Sequence, residues 1–82
     1  SEIVVEEDKT LIVYPNPSSG IFKIQSESEI KAVTVIAPNG VEIIKNIQKS
    51  EELNISHLPN GIYLLVLYNT NGKVTRKMVV KQ

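Results

Sequence analysis

The chain has 82 residues, which is enough for one small domain with a single apolar core. Nine basic and nine acidic residues give a formal net charge of zero, so no long-range field draws the chain to nucleic acid or to a lipid surface. Cysteine is absent, which excludes a disulfide framework and a thiolate zinc site. No apolar run approaches the roughly 18 residues of a membrane span, and no signal-peptide pattern is present. We therefore expect one soluble domain with no direct membrane insertion and no nucleic-acid partner.

The first nine residues differ in composition from the rest. Residues 1–9 are polar apart from the apolar triplet at residues 3–5, and they predict a linker ahead of a domain that spans residues 10–82. The triplet favours an extra edge strand. Such a strand could pair with the edge of another copy and give a swapped homodimer.

From residue 11 onward, apolar and polar residues alternate in short runs rich in Val, Ile and Tyr, which is typical of strands. The first run stops at Tyr14-Pro15-Asn16-Pro17, because proline fixes φ and removes a donor from the ladder. In the second run Phe22 and Ile24 share one face, opposite Lys23 and Gln25, and Phe22 is a predicted core residue. The predicted strands are residues 11–14, 21–26, 31–37, 41–46, 52–55, 62–69 and 74–81.

Asn-Gly pairs mark the predicted turns. Asn39-Gly40 predicts a hairpin between the third and fourth strands, and Asn71-Gly72 predicts a two-residue type I′ hairpin, because both residues tolerate positive φ. Leu58-Pro59-Asn60-Gly61 predicts a corner before the sixth strand. Tyr63 follows that corner, where sandwich folds often place a tyrosine whose hydroxyl bonds to nearby backbone. An ordinary buried aromatic residue is the alternative.

The last two strands have contrasting compositions. Residues 62–69 form the most apolar run and predict a central strand buried on both faces. Seven strands with the longest apolar one in sixth place predict an all-β fold, an immunoglobulin-like sandwich of about seven antiparallel strands. In the final strand, basic residues alternate with apolar ones and predict a solvated, charged face. The basic residues are Lys73, Arg76, Lys77 and Lys81.

Residues with catalytic or metal-binding potential are scattered. His57 is the only histidine, and a metal site would need converging partners that the sequence does not supply. Ser18 and Ser19 lack the G-x-S-x-G pattern of a nucleophile elbow. The four glycines lie singly at separate turns, whereas a phosphate loop needs them clustered before a helix. We expect no catalytic residue, no metal and no cofactor.

Four motifs in order carry a resemblance to a known family. They are Tyr14-Pro15-Asn16-Pro17, Val33-Thr34-Val35 leading to Asn39-Gly40, Leu58-Pro59-Asn60-Gly61-Ile62-Tyr63, and Lys77-Met78-Val79-Val80-Lys81-Gln82. Together, over residues 11–82, they resemble the type A C-terminal sorting domain of type IX (Por) secretion cargo in Bacteroidota. Ala37 departs from the pattern, since members often carry Asp or Asn before the turn.

The resemblance implies that the domain is a secretion signal and not an enzyme. It implies a passenger protein upstream, which can itself be an enzyme such as a protease. The passenger passes through the periplasm, and the translocon recognises the domain and carries it across the outer membrane. A surface sortase then removes the domain, which leaves the passenger at the cell surface or secreted.

The resemblance also divides the motif residues into two groups. The implied recognition residues are Lys73, Lys77, Met78, Val79, Val80, Lys81 and Gln82. The implied structural residues are Tyr14, Pro15, Asn16, Pro17, Gly40, Leu58, Gly61 and Tyr63. A final strand at a sheet edge could accept a partner by β-augmentation, or its lysines could guard that edge against aggregation. The alternatives to a sorting signal are a surface adhesion or carbohydrate-binding sandwich and a structural spacer.

Overall fold

Seven β-strands and no helix make up the described part of the chain, which in this computed structural model is residues 9–44 and 52–82. The strands are β1 (Ile12–Tyr14), β2 (Ile21–Gln25), β3 (Ile30–Ile36), β4 (Glu42–Ile44), β5 (Glu52–Asn54), β6 (Gly61–Asn69) and β7 (Val74–Lys81). All seven predicted strands are confirmed. The extra strand at residues 3–5 and the end of the fourth strand at residues 45–46 lie outside the described residues.

The strands form two antiparallel sheets, which together make a sandwich. One sheet has three strands in the order β1-β2-β5, and the other has four in the order β4-β3-β6-β7. The all-β prediction is therefore confirmed. The immunoglobulin-like grouping stays a prediction, because β4 pairs with β3, whereas constant-type immunoglobulin domains place the fourth strand beside the fifth.

Strand alternation builds the core between the two sheets. Phe22 is buried on β2 as predicted, Ile24 is buried on the same face, and Val33 and Val35 are buried on β3. Because successive side chains point to opposite faces of a sheet, these pairs lie on the faces that meet. The core cluster is Leu11, Phe22, Ile24, Val33, Val35, Leu53, Ile55, Tyr63, Leu65, Leu67 and Val79.

Both predicted hairpins are present, but the turn at Asn71-Gly72 differs from the predicted type I′ geometry. The Gly72 N–H donates to the Asn69 carbonyl (3.1 Å) and the Asn69 N–H to the Lys73 carbonyl (2.9 Å), so the loop has three residues and Gly72 comes last, with φ +88°. The 37–41 turn has the same two bonds. A type I turn followed by a glycine bulge explains both loops. In each, the asparagine Oδ1 accepts from a backbone N–H two residues on.

The corner before β6 is confirmed, and so is its tyrosine. Tyr63 is 2% exposed, and its hydroxyl donates to the Pro59 carbonyl four residues upstream. The Leu58 N–H donates to the Ile55 carbonyl at 3.0 Å, which closes the turn that follows β5. Tyr63 therefore ties the corner to the core through one buried ring and one hydrogen bond.

The prediction that β6 is buried on both faces is wrong for one face. Tyr63, Leu65 and Leu67 point into the sandwich, and the intervening residues point outward. Ile62 is 51% exposed and Tyr68 is 37% exposed. The outer face of this antiparallel sheet has no second layer in the described structure, as is common for such sheets. Within residues 9–44 and 52–82, no helix is long and apolar enough to cross a membrane.

Candidate recognition surface

The final strand lies at a sheet edge, as predicted. β7 pairs along its whole length with β6, from Gly61 opposite Lys81 to Tyr68 opposite Val74, and β6 pairs on its other side with β3. The outer edge of β7 therefore presents backbone groups that β6 does not use.

Asn16 covers part of this edge. Its Nδ2 donates to the Met78 carbonyl at 3.0 Å, and its Oδ1 accepts from the Val80 N–H at 2.9 Å. One side-chain amide thus makes the pair of bonds that a neighbouring strand would make. The flanking peptide bonds Tyr14–Pro15 and Asn16–Pro17 are both cis. The first family motif is therefore attached directly to the last one.

Ser18 continues the same contact toward the end of the chain. Its N–H donates to the Val80 carbonyl at 2.9 Å, and its carbonyl accepts from the Gln82 N–H at 2.9 Å, giving a short parallel bridge. Ser18 is buried, and its hydroxyl donates to the Ile21 carbonyl at 2.7 Å. Asn16 and Ser18 together cover the edge from the Met78 carbonyl to Gln82, and we call this contact the edge clamp. It stops short of Arg76.

Lys81 is a structural residue, which corrects the expectation of an exposed charge. It is 7% exposed, and its Nζ donates to Asn60 Oδ1 at 2.8 Å. Asn60 belongs to the corner motif, and Gly61 lies opposite Lys81 in the β6–β7 register. Lys81 therefore joins the last motif to the corner motif. Replacing it would disturb the fold, so it cannot report on recognition alone.

The prediction that the basic residues give β7 a charged, solvated face is wrong for two of the three basic residues in the strand. Lys77, Val79 and Lys81 lie on the side that faces the core, where Val79 is fully buried. Met78 points outward and is 60% exposed. Of the basic residues within β7, only Arg76 is exposed on the outer side. The exposed side of the strand is thus mainly apolar.

Most remaining motif residues gather at the end of the sandwich where β7 finishes. Leu58 packs against the core, and a Cβ on Gly61 would lie 3.8 Å from Pro38 Cγ of the turn that contains Gly40. Tyr14, Pro15 and Pro17 are exposed beside the edge clamp. Lys73 follows the turn at the opposite end of β7, so the structure does not bring it together with the others.

The two contacts of the edge clamp could not be predicted from the sequence. The bonds of Asn16 span 62 and 64 positions, and no local pattern indicates so distant a partner. The contacts of Ser18 could not be predicted for the same reason, since its partners are residues 80 and 82. The two prolines that flank Asn16 were the only local sign of an unusual segment, and they predict a stiff backbone but not its contact with β7.

Asn16→Ala is expected to lower the free energy of unfolding by about 1–3 kcal/mol, because two hydrogen bonds of ~0.5–1.5 kcal/mol each are lost. It should also speed hydrogen exchange at the Val80 amide, which loses its acceptor. Chemical denaturation and exchange measured by NMR would test both effects.

Asn39→Ala is the matched control, because Asn39 is an exposed asparagine whose Oδ1 accepts from the nearby Val41 N–H. We expect its cost to stay below about 1 kcal/mol, with Val80 exchange unchanged. Equal exchange rates at Val80 in both variants would contradict the edge clamp.

Outside the edge clamp, the described residues offer few side chains suited to catalysis or metal binding. His57 is exposed in the corner after β5. Within residues 9–44 and 52–82, no three His, Cys, Asp or Glu side chains lie close enough together to hold a metal ion. The described surface instead offers an exposed strand side held in place by distant motifs. This arrangement defines the class: a small β-sandwich domain whose packing holds the edge strand β7 in position.

The comparison with protein families agrees with this class. A family model described as the secretion system C-terminal sorting domain matches residues 12–81, which is nearly the whole chain. The chain belongs to this family. No curated protein matches it.

Membership of this family identifies the role of the domain. It is a C-terminal sorting signal for type IX secretion, and it directs export to the cell surface or to the medium. A sorting signal is not itself catalytic. Its partner is the type IX secretion machinery.

Proposed function

We propose that the translocon recognises the exposed outer side of β7 beside the edge clamp. The supporting observation is that Met78, at 60% exposure, is the most exposed of the large apolar side chains described. Exposed apolar groups cost free energy in water and commonly mark contact sites. Val80 lies two residues on, on the same side.

The seven expected recognition residues take different parts in this proposal. Met78, Val80 and the exposed Gln82 contact the partner. Val79 and Lys81 are buried and hold the strand in position. Lys73 and Lys77 are half-buried, so their charges remain near enough to solvent to orient an incoming partner.

The edge clamp supports recognition of a folded domain. Since Asn16 and Ser18 bond to the Met78, Val80 and Gln82 backbone, the last strand keeps a defined position at the sheet edge. A receptor then meets a rigid surface and orders few groups on binding, which lowers the entropic cost. The same clamp occupies the backbone groups there, so β-augmentation is confined to the part of the edge before Met78.

The remaining steps follow the family expectation. The passenger lies ahead of this domain and crosses the periplasm before the domain reaches the translocon. The surface sortase removes the domain at residues 10–82. The contact of the Glu27 N–H with Thr10 Oγ1 at 3.2 Å supports residue 10 as the start of the folded unit.

The distribution of tyrosines does not favour the alternative of a carbohydrate-binding module. Glycan platforms use aromatic rings grouped on one surface. Tyr14 points outward from the three-stranded sheet, and Tyr68 points outward from the four-stranded sheet. The two exposed rings therefore lie on opposite sides of the sandwich.

Met78→Asp is expected to reduce surface export of a reporter fused ahead of residues 1–82 by about tenfold or more, because a charge at the centre of an apolar contact is strongly unfavourable. Export would be measured in a bacterium with a working type IX system, as the ratio of surface to periplasmic reporter. Deletion of residues 77–82 gives the value for complete loss.

Ile12→Asp is the matched control, because Ile12 is 53% exposed on the outer side of the other sheet. Both variants should melt within a few degrees of the parent, since exposed substitutions usually change stability little. Normal export of Met78→Asp, or an equal loss with Ile12→Asp, would contradict recognition through this side of β7.

A further inference from the structure

The edge clamp covers only the last part of the outer edge of β7. Its bonds reach the Met78 carbonyl, both backbone groups of Val80 and the Gln82 N–H. These are alternate residues, because every second residue of an antiparallel strand directs its N–H and C=O to the same side. The backbone groups of Val74 and Arg76 and the Met78 N–H therefore also point away from β6. No strand of the described part of the chain pairs on that side of β7, and we call this stretch the open edge.

The open edge carries a positive charge at its centre. Arg76 lies in the middle of the stretch and is exposed on the outer side of the strand. Lys77 is half-buried on the opposite side, and Lys73 is half-buried just before the strand begins. The neighbours that share the side of Arg76 are Val74 and Met78, which are both apolar. The open edge thus presents the pattern apolar, basic, apolar to a neighbouring strand.

This pattern disfavours pairing of the open edge with itself. Full antiparallel overlap of two copies would place Arg76 opposite Arg76 and Val74 opposite Met78. Like charges directly opposite each other destabilise a strand pair, whereas opposite charges stabilise it. A strand with a carboxylate opposite Arg76 and apolar residues opposite Val74 and Met78 is complementary at all of these positions. The open edge therefore favours a partner strand with the pattern apolar-any-acidic-any-apolar.

We infer that the translocon adds an extended segment with this pattern to the open edge, as an antiparallel strand beside β7. The inference rests on the proposed function, because it takes the translocon as the partner of β7. Backbone hydrogen bonds bind the segment, and the pairing of its acidic residue with Arg76 selects it. The added strand ends at Met78, because Asn16 Nδ2 already bonds to the Met78 carbonyl.

Two synthetic peptides test the added strand with the full 82-residue chain. One is Ser-Val-Thr-Glu-Thr-Val-Ser with blocked ends, and the other has lysine in place of its glutamate. At millimolar concentration the glutamate peptide should slow hydrogen exchange at the Arg76 and Met78 amides, as measured by NMR. The Thr75 and Lys77 amides should not change, because they already face β6. The lysine peptide should bind more weakly by about fivefold or more.

Charge reversal on the domain should reverse the choice of peptide. Arg76 is exposed, so Arg76→Glu should melt like the parent and should bind the lysine peptide in preference to the glutamate peptide. Lys31→Glu is the matched control, because Lys31 is exposed on β3, which β6 separates from β7; it should keep the original preference. Unchanged exchange at Met78 with the glutamate peptide would overturn the inference and leave Arg76 as a guard of the edge. Equal binding of both peptides would overturn it as well.

Reporter export separates this inference from the proposed function. Arg76→Glu should lower the ratio of surface to periplasmic reporter several-fold, whereas Lys31→Glu should not. Normal export of Arg76→Glu would overturn the added strand even if Met78→Asp blocked export, and recognition through the outer side of β7 would then stand without it. Normal export of Met78→Asp would instead contradict the proposed function itself.

Discussion

Gly20→Ala is expected to unfold the domain or to lower its free energy of unfolding by about 3 kcal/mol or more. A Cβ on Gly20 would lie 2.4 Å from Ser56 Cα and 2.7 Å from Ser56 N, and the residue has φ +135°. The clash is with backbone, which cannot rotate away. The Gly20 carbonyl also accepts from the Ile55 N–H at 2.7 Å, so a shift would break the link between the start of β2 and the end of β5.

Gly72→Ala is the matched control. Gly72 has φ +88°, but a Cβ at this position would point into open space, with no contact inside 4 Å, so only the backbone conformation is penalised, by about 1–2 kcal/mol. Thermal and urea denaturation of both variants would test the difference. If the two glycines proved equally replaceable, the close approach of Gly20 to Ser56 would be wrong.

Tyr63→Ala is expected to cost about 3–5 kcal/mol, because it removes a buried ring and the hydroxyl that bonds to Pro59. Domains of this size have a total stability on the order of 5–10 kcal/mol, so the variant should lose a large part of its stability and melt well below the parent. Tyr63→Phe keeps the ring and should cost only about 1 kcal/mol, which isolates the hydrogen bond. Circular dichroism during urea denaturation would measure both.

Tyr68→Ala provides the comparison within the same strand. Tyr68 lies on the outer face of β6 and is 37% exposed, so its removal should cost much less than that of Tyr63. A larger loss from Tyr68→Ala than from Tyr63→Ala would mean that the two faces of β6 have been exchanged. The pair of variants therefore tests the strand register as well as the corner.

Local pattern was sufficient to predict the strands and the family. Alternation of period two is a property of each strand by itself, so Phe22 and Ile24 could be placed on one face, and Phe22 in the core, without any knowledge of their partners. The corner at residues 58–61 and the hydroxyl bond of Tyr63 also depend on near neighbours. The family motifs are short and ordered along the chain, and the match over residues 12–81 agrees with that order.

The Asn-Gly pair alone was not enough to predict the type of the hairpin turns. Asn-Gly fits a type I′ turn when it occupies the two central positions. Pro38 takes the first central position of the 37–40 turn, which moves Asn39 to the second and Gly40 to the end. Proline fixes φ near −65°, so a type I′ turn is impossible there. This outcome depends on where the strands stop, which the dipeptide alone does not state.

By itself, the sequence determined that this chain is an all-β sorting domain and where along the chain its seven strands lie, because strand propensity and motif order are local properties. Only the tertiary structure decided which side of β7 meets water. Its basic residues looked exposed, yet Lys81 is buried against Asn60, while Met78 is exposed because no layer covers that face in the described structure. The edge clamp was likewise decided by packing, since Asn16 and Val80 meet only when the two ends of the domain are folded together.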